Sequence, residues 1–315
     1  MGSRGLDLLA LPEDCIANVL SLSGPRDTCR LSVISSLFRS AAESDAVWQK
    51  HLPPDYRSII ARSTDPYMLT RFSSLKDLYF SLCDNPILID DAKLSFSLDK
   101  STGKKCYMVS ARNLVIVWGD TPWYWKWTSE PECRFGGVAE LVQVCWLEIR
   151  GKICASLLSP ATLYSAYLVF KSATETYVFD YGPLEVSMGL AGAESPTRSV
   201  YLDARRGRRQ RYQTGRGRIG LVSRKFMSGM KMQAPVPVVE SDGGMQMQAP
   251  GPVVESDGPY PRERKDGWLE IELGEFYNKE GEEGEIEMSV LEIKDGNWKG
   301  GLIVQGIEIR PKEGK

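Results

Sequence analysis

The spacing of apolar residues changes once along this chain, near residue 86. Before that point apolar side chains recur every three or four residues, which predicts amphipathic helices. After it they alternate with polar side chains, which predicts half-buried strands. The chain of 315 residues therefore joins an N-terminal helical region to a larger region of strands.

The helical unit spans residues 9–55 in our reading of the pattern. Its first helix starts at Pro12, a residue that suits the first helical position, and we expect Ile16, Val19 and Leu20 to lie on one face. Short helical segments follow. A unit of about 45 residues buries too little apolar surface to be very stable alone. Apolar surface left over after such a small fold is most simply explained by a partner.

A connector follows the helical unit. In SSLKDLYFSL, Leu75, Leu78, Tyr79 and Leu82 recur at helical spacing behind a serine cap. We expect this helix to pack the helical unit against the strands. The predicted organisation is a tail at 1–8, the helical unit at 9–55, the connector at 56–86 and a strand domain at 87–315.

Short alternating runs, separated by Gly, Pro, Asp and Ser, fill the strand domain. No long helical pattern interrupts them, which argues against a parallel α/β sheet. The pattern predicts an antiparallel β-sandwich. The runs are KLSFSLD, KCYMVS, NLVIVW, LVQVCWLEIRGKI, TLYSAYLVFK, TYVFDY, LEVSMGL, GWLEIELGEF, GEIEMSVLEI and GLIVQGIEI.

An insert at about 192–264 does not fit the strand pattern. MQAPVPVVESDG at 232–243 recurs with one difference at 247–258, and its proline content disfavours regular strand pairing. We predict a disordered loop. Its arginine-rich run, DARRGRRQRYQTGRGR, has two interpretations: a solvated loop, which we favour, or a nucleic-acid or nuclear-localisation segment.

Composition narrows the possible chemistry. The single histidine, His51, and the seven scattered cysteines show neither a C-x-x-C pair nor zinc-ligand spacing. A phosphate-binding glycine loop is also missing from the sequence. We expect a protein that is not an enzyme and has no metal or cofactor. We find neither a signal peptide nor a run of about 18 apolar residues. We therefore expect a cytoplasmic and/or nuclear location, without membrane or nucleic-acid partners.

The run LPEDCIANVLSLSGPRDTCRLSVISSLFRSAAESDAVWQKHLP closely resembles an F-box. F-boxes dock onto the Skp adaptor of cullin–RING ubiquitin ligases. An ordinary helical hairpin with its own core is the alternative. The positions that match the family's docking face are Leu11, Pro12, Ile16, Leu20, Leu31, Val33, Leu37 and Trp48.

The strand domain resembles the phloem protein 2 domain, also found in Nictaba-type lectins. The matching blocks are SARNLVIVWGDTPWYWKW, RFGGVAELVQVCWLEIRGKI, LSPATLYSAYLVFK, DGWLEIELGEF and WKGGLIVQGIEIRPK. The resemblance implies an α+β multidomain chain, a small all-α F-box followed by an all-β jelly-roll-like sandwich. This combination is typical of plant proteins.

Four of the eight tryptophans lie in VIVWGDTPWYWKW at 115–127. A Gly-Asp-Thr-Pro turn separates Trp118 from the run that begins at Trp123. Indole rings at such a place can either anchor a core or stack against sugar rings. Trp146 and Trp268 lie in alternating strands, and we expect both in the core.

The resemblance to Nictaba-type lectins assigns sugar binding to two tryptophans seven positions apart, which Trp118 and Trp125 match. It also assigns a pair of C-terminal glutamates, for which Glu285 and Glu292 have a compatible spacing. Burial in the core stays open for both tryptophans.

These observations predict a non-catalytic substrate-recognition subunit of an SCF-type ubiquitin ligase. The F-box would bind a Skp-type adaptor and, through it, cullin, while the sandwich would bind a target protein through an N-glycan or another GlcNAc-containing group. Two alternatives are a cytoplasmic lectin or defence-related binding protein without a ligase role, and a receptor for a peptide surface.

Overall fold

Serine caps begin several of the N-terminal helices. Ser35, Ser44 and Ser74 each accept a hydrogen bond from a backbone N–H in the first turn of the helix that follows. The computed structural model describes residues 11–65, 67–172, 183–202, 260–294 and 296–312. The α-helices of that part are α1 Glu13–Leu22, α2 Pro25–Leu31, α3 Ser36–Glu43, α4 Asp45–His51, α5 Tyr56–Ala61 and α6 Leu75–Asp84. None of these helices is long and apolar enough to cross a membrane.

The first helix buries a narrower face than the sequence pattern predicts. Ile16, Ala17 and Leu20 are buried, whereas Val19 is 51% exposed. The face that Ile16, Val19 and Leu20 form is therefore buried only in part. Successive helical residues turn by roughly 100°, and that step carries Val19 away from the side that Leu20 and Ala17 share.

The strands pair into two antiparallel sheets. The larger runs in the order β1-β2-β3-β14-β8-β12-β11, with β6 also pairing β14 and β5, and the smaller runs β10-β9-β13-β7-β4. The strands are β1 Ile87–Ile89, β2 Leu94–Leu98, β3 Lys105–Ser110, β4 Val115–Ile116, β5 Trp125–Thr128, β6 Val138–Leu141, β7 Leu147–Cys154, β8 Thr162–Ser172, β9 Leu184–Leu190, β10 Thr197–Val200, β11 Arg262–Glu263, β12 Leu269–Asn278, β13 Glu285–Glu292 and β14 Leu302–Pro311.

The sheets pack face to face where glycines allow close approach. A Cβ at Gly151 of β7 would lie 3.1 Å from Ile307 of β14, and one at Gly274 of β12 would lie 2.9 Å from Met188 of β9. The predicted fold class, a helical N-terminal region followed by a domain of antiparallel sheets, is confirmed.

Several strand predictions differ from the structure in extent. The long run LVQVCWLEIRGKI divides into β6 and β7, and NLVIVW forms only the two residues of β4. Strands β10 and β11 lie inside the predicted loop at 192–264, where β10 pairs β9 and β11 pairs β12. The loop prediction is wrong for those residues. The predicted strand at 176–181, the arginine-rich run and the duplicated segment lie outside the described residues.

A continuous cluster of buried apolar side chains runs from the helices into the sandwich. Helix α6 lies at the junction, where the Tyr79 hydroxyl donates to the Asp99 carbonyl at 3.2 Å. Lys105 of β3 donates to the Asp55 carboxylate at 3.1 Å, and its side chain is only 7% exposed. The helical region is therefore part of the same packed core as the sandwich.

Candidate functional site

Apolar side chains stand in solvent on the helical region. On α1, Val19 is 51% exposed and Leu22 is 85% exposed. Residues three positions apart in a helix are neighbours on its surface, so these two side chains lie next to each other. Val33 and Ile34, in the turn between α2 and α3, are 75% and 61% exposed. A helical region with this much uncovered apolar surface is a candidate for docking onto another protein.

The predicted docking residues fall into two groups. Ile16, Leu20 and Trp48 are buried at 2% or less exposure, so they hold the helices together and are not available to a partner. The docking prediction for these three side chains is therefore corrected. The other five are partly or fully exposed: Leu11, Pro12, Leu31, Val33 and Leu37. Val19, Leu22 and Ile34 are also exposed, although the resemblance to the F-box did not assign them to the docking face.

Trp48 anchors the helical core. Its indole N–H donates to the Ala42 carbonyl at 2.7 Å, and its ring lies 5.1 Å from the ring of Tyr79 on α6. His51 packs edge-on against it at 5.4 Å and shares a hydrogen bond of 2.9 Å with the Thr28 hydroxyl. Burial lowers the pKa of His51. His51 is therefore a buried residue of the helical core with a satisfied hydrogen bond.

Four exposed tryptophans lie on segments of the sandwich that are joined to one another. Backbone hydrogen bonds join the segments that carry them: Val117 N–H to Glu148, Val142 N–H to Tyr124, and a reciprocal pair between Val144 and Lys299. We call this surface the aromatic rim. Its members, with their exposed fractions, are Trp118 (42%), Trp123 (80%), Trp146 (40%) and Trp298 (55%).

Trp118 is held in an unusual backbone conformation. Its φ is +58°, in the left-handed region that a bulky residue rarely adopts. Its ring lies 5.2 Å from that of Tyr124, and the carbonyl of Gly119 accepts the indole N–H of Trp127 at 3.0 Å. The Arg112 guanidinium covers the Trp127 ring at 3.9 Å. The turn that presents Trp118 is thus stabilised by the ring contact with Tyr124 and by the hydrogen bond from Trp127.

Trp125 does not share that exposure. It begins β5, where it pairs with Leu141 of β6, and only 2% of its surface is accessible. Its side chain packs into the core cluster. The sugar-binding prediction for Trp125 is therefore corrected to a core position.

The two predicted glutamates do not come together. Glu285 and Glu292 are the first and last residues of β13, which puts them roughly 24 Å apart at the rise of an extended strand. Glu285 is exposed and lies 3.4 Å from the Lys152 ammonium, while Glu292 is buried in an ion pair with Lys299. One sugar ring cannot contact both carboxylates, so their prediction as a pair is corrected.

The remaining two tryptophan predictions have opposite outcomes. Trp268 is fully buried, with its indole N–H donating to the Glu132 carbonyl at 3.1 Å and the Lys171 ammonium 4.7 Å from its ring. Its core assignment is confirmed. Trp146 is exposed and its indole N–H donates to the Glu148 carboxylate at 2.9 Å, so its core assignment is wrong.

The described residues contain no group of side chains that could bind a metal ion at the aromatic rim. Nowhere among them do three or more His, Cys, Asp or Glu side chains come together in a way that could hold an ion.

Comparison with known families matches phloem protein 2 over residues 104–311 and the F-box domain over residues 8–50. The F-box protein At2g02240 of Arabidopsis thaliana is 44% identical over 301 residues, spanning 96% of this chain and 79% of that protein. Two further proteins of that plant are similar. The F-box protein PP2-B1 is 42% identical over 311 residues (96% and 89%), and PP2-B10 is 43% identical over 306 residues (96% and 93%).

Among solved structures, a family 35 carbohydrate binding module from Clostridium thermocellum aligns at a TM-score of 0.29 and 10% identity, over 65% of this chain and 96% of that chain. Similarity of that degree is too weak to establish a common fold.

Proposed function

Because this chain belongs to the phloem protein 2 family and carries an F-box, we propose that it is the target-binding subunit of an SCF-type ubiquitin ligase. The chain is a substrate-recognition F-box protein. In the proposed complex the helical region docks on a Skp-type adaptor, which carries cullin, and the sandwich binds a glycosylated target in the cytoplasm or nucleus. The chain itself performs no chemistry.

The docking half of the proposal is supported by exposed apolar side chains on the F-box helices. Leu22 and Val33 are at least three-quarters exposed. Exposing apolar surface to water is unfavourable in free energy, and a bound partner would remove that surface from water. Ile16, Leu20 and Trp48 beneath them keep the helices in place. In most protein interfaces a small number of residues carries most of the binding free energy.

The target-binding half rests on one observation: Trp118 is exposed on a left-handed backbone. A residue in such a conformation costs of order 1–3 kcal/mol and persists where the surrounding structure enforces it, which is common at ligand-binding sites. Tyr124 and the turn hold the ring in place before any ligand arrives. The C–H face of a pyranose fits such a ring, and a preorganised ring loses little entropy on binding.

The complex would act by proximity. A target held at the rim is brought beside the ubiquitin-charged enzyme, which raises its effective concentration there. Because the helices and sandwich share a core, that geometry is set by the fold and not by a flexible linker.

The first test concerns docking. Leu22→Asp combined with Val33→Asp should reduce co-purified Skp-type adaptor at least tenfold, because each charge replaces an exposed apolar contact and does not enter the core. Val115→Asp on the sandwich, 63% exposed, is the matched control and should retain the adaptor. Undiminished adaptor in the double variant would remove these helices from the interface and favour a lectin without a ligase role.

The second test concerns the glycan. The full chain should bind N-glycans or GlcNAc oligomers on an array, and Trp118→Ala should weaken that binding at least tenfold. Tyr277→Ala removes an aromatic ring of 52% exposure from β12 and should change nothing. Binding of a protein target that survives enzymatic deglycosylation would instead support a receptor for a peptide surface, the second candidate that four exposed tryptophans favour.

A further inference from the structure

A second exposed indole, that of Trp146, lies on the open face of the small sheet, on a segment next to the one that carries Trp118. The strand β7 alternates, with Leu147, Ile149 and Ile153 turned to the core. Trp146, Glu148, Arg150 and Lys152 therefore point to the other face. The structure joins these side chains with Glu285 and Glu287 of β13 into a chain of hydrogen bonds and ion pairs, which we call the polar ladder.

The polar ladder fixes the orientation of the Trp146 ring. The indole N–H donates to one oxygen of Glu148 at 2.9 Å, and the other oxygen accepts from Arg150 Nε at 2.8 Å. Arg150 Nη1 in turn donates to Glu287 at 2.6 Å. A ring whose edge is tied to a carboxylate, which is itself tied to a guanidinium, loses little side-chain entropy when a ligand stacks on it.

Hydrogen-bond acceptors remain beside the ring. A carboxylate offers about four lone-pair directions, and Trp146 and Arg150 occupy one on each oxygen of Glu148. The hydrogen bond from Arg150, with that from Trp146, lowers the pKa of Glu148, which keeps it a charged acceptor at neutral pH. Hydrogen bonds to charged groups are stronger than those between neutral groups.

The charges of the polar ladder indicate the class of ligand. Arg150 is paired with Glu148 and Glu287, and Lys152 with Glu285 and Glu287, so the ladder has two cations and three carboxylates. An anionic ligand such as a sulfated or phosphorylated sugar would meet a net negative face. A neutral ligand rich in hydroxyl groups would find donors and acceptors without having to separate an ion pair.

Trp118 and Trp146 lie on neighbouring segments. Val115 and Ile116 of β4 pair with Arg150 and Ile149 of β7, and the Val117 N–H bonds to Glu148, which brings the chain at Trp118 alongside the start of β7. Adjacent strands are about 4.8 Å apart. Two rings on adjacent segments suit a ligand of more than one sugar ring.

We propose that Trp146, Glu148 and Arg150 form a second subsite for a neutral oligosaccharide, one ring of which stacks on Trp146 while another occupies Trp118. This inference rests on the proposed glycan binding. It assigns a contact role to Trp146, Glu148 and Arg150, outside the pairs Trp118/Trp125 and Glu285/Glu292 that the lectin resemblance indicates.

The test is calorimetric titration of the full chain with N-acetylglucosamine and with its β-1,4-linked trimer. Trp146→Ala should weaken trimer binding at least tenfold and monomer binding less than twofold, because the monomer needs only Trp118. Glu148→Gln, which leaves the ring in place, should weaken trimer binding about threefold, and Tyr277→Ala should have no effect. Unchanged circular dichroism verifies that each variant is folded.

The possible failures are distinct. Trimer binding that is lost in Trp118→Ala but unchanged in both Trp146→Ala and Glu148→Gln would overturn the second subsite and leave the proposed function standing. A wild-type chain that binds neither probe would overturn both. Tighter binding of a sulfated trimer than of the neutral one would overturn the ligand class.

Discussion

Five charged side chains are buried or largely buried together on the face of the large sheet that points away from the sandwich core: Arg134, Arg264, Glu270, Glu308 and Arg310. Glu308 accepts from Arg264 at 2.6 Å, Arg310 at 2.9 Å and Arg134 at 3.2 Å. Burial by itself would raise the pKa of Glu308, but attraction to Arg264 and Arg134 outweighs it and lowers the pKa to about 2. These contacts tie the 130–137 segment and β11 to the sheet.

Replacing Glu308 should therefore destabilise the fold. Glu308→Gln leaves three guanidinium groups with one fewer negative charge in a buried site, and breaking such a pair costs about 3 kcal/mol. Urea unfolding measures the loss. Glu275→Gln removes a 43% exposed partner of Lys312 and should cost less than about 1 kcal/mol. Equal losses in the two variants would contradict a special role for the buried cluster.

The same carboxyl makes stability depend on pH. Its ordinary pKa is 4.5 and its folded pKa is about 2, so the stabilisation is complete above the unfolded value. Between pH 4.5 and pH 2 the unfolded chain binds a proton that the folded chain does not. The free energy of unfolding therefore decreases as the pH is lowered through this range. The difference in unfolding free energy between wild type and Glu308→Gln should be constant from neutral pH to about 5 and narrow below that. Parallel curves down to pH 3 would contradict this assignment.

The hairpin between β2 and β3 shows how one element is fitted against another. Asp99 accepts backbone N–H groups from Ser101 at 3.2 Å and Thr102 at 2.8 Å, which shapes the turn. Gly103 then adopts a φ of +72°, and a Cβ there would lie 2.7 Å from the carbonyl oxygen of His51 on α4. The turn can approach the helices this closely because it has no side chain at that point.

Gly103→Ala should accordingly loosen the contact between the hairpin and the helices. The left-handed backbone and the close carbonyl both oppose a Cβ, and we expect a loss of about 2 kcal/mol in the free energy of unfolding. Gly136→Ala is the control, since a Cβ at that position meets nothing within 4 Å. A Gly103 variant as stable as the Gly136 variant would show that the hairpin can move away at little cost.

The exposure of Trp146 could have been predicted from the sequence. In β7 the inward positions are Leu147, Ile149, Gly151 and Ile153, and Trp146 has the parity of Glu148 and Arg150. Alternation alone therefore placed Trp146 with the polar residues, whereas our core prediction used its place in an alternating strand without assigning the face. Trp125 offers no such local signal, because its burial comes from packing against core residues from distant parts of the chain.

The whole molecule is stabilised across the boundary between its helical and β regions. Leu78, Tyr79 and Leu82 of α6 are buried, and they belong to the same cluster as Phe96 and Tyr107 of the large sheet. Removing α6 would expose that part of the sheet to water. The sandwich thus depends on the connector helix, which is more than a spacer between two independent domains.

Truncation tests this dependence. A fragment of residues 87–315 should melt at least about 10 °C below a fragment of residues 56–315, which keeps α6. Burial of three large apolar side chains contributes about 1.5–3 kcal/mol each, and each kcal/mol shifts the melting temperature of a domain of this size by about 2–4 °C. Equal melting temperatures in calorimetry would show that the sandwich is stable without its helical cover.

The order of helices and strands, the F-box and the phloem protein 2 domain follow from the sequence, because periodicity, caps and motifs are properties of neighbouring residues. Exposure does not follow in the same way. Trp125 is covered by core residues, and Trp118, Trp123, Trp146 and Trp298 are carried by segments that pair across long stretches of the chain. A candidate site made by such long-range contacts is visible only once the chain is folded, since burial is decided by neighbours in space.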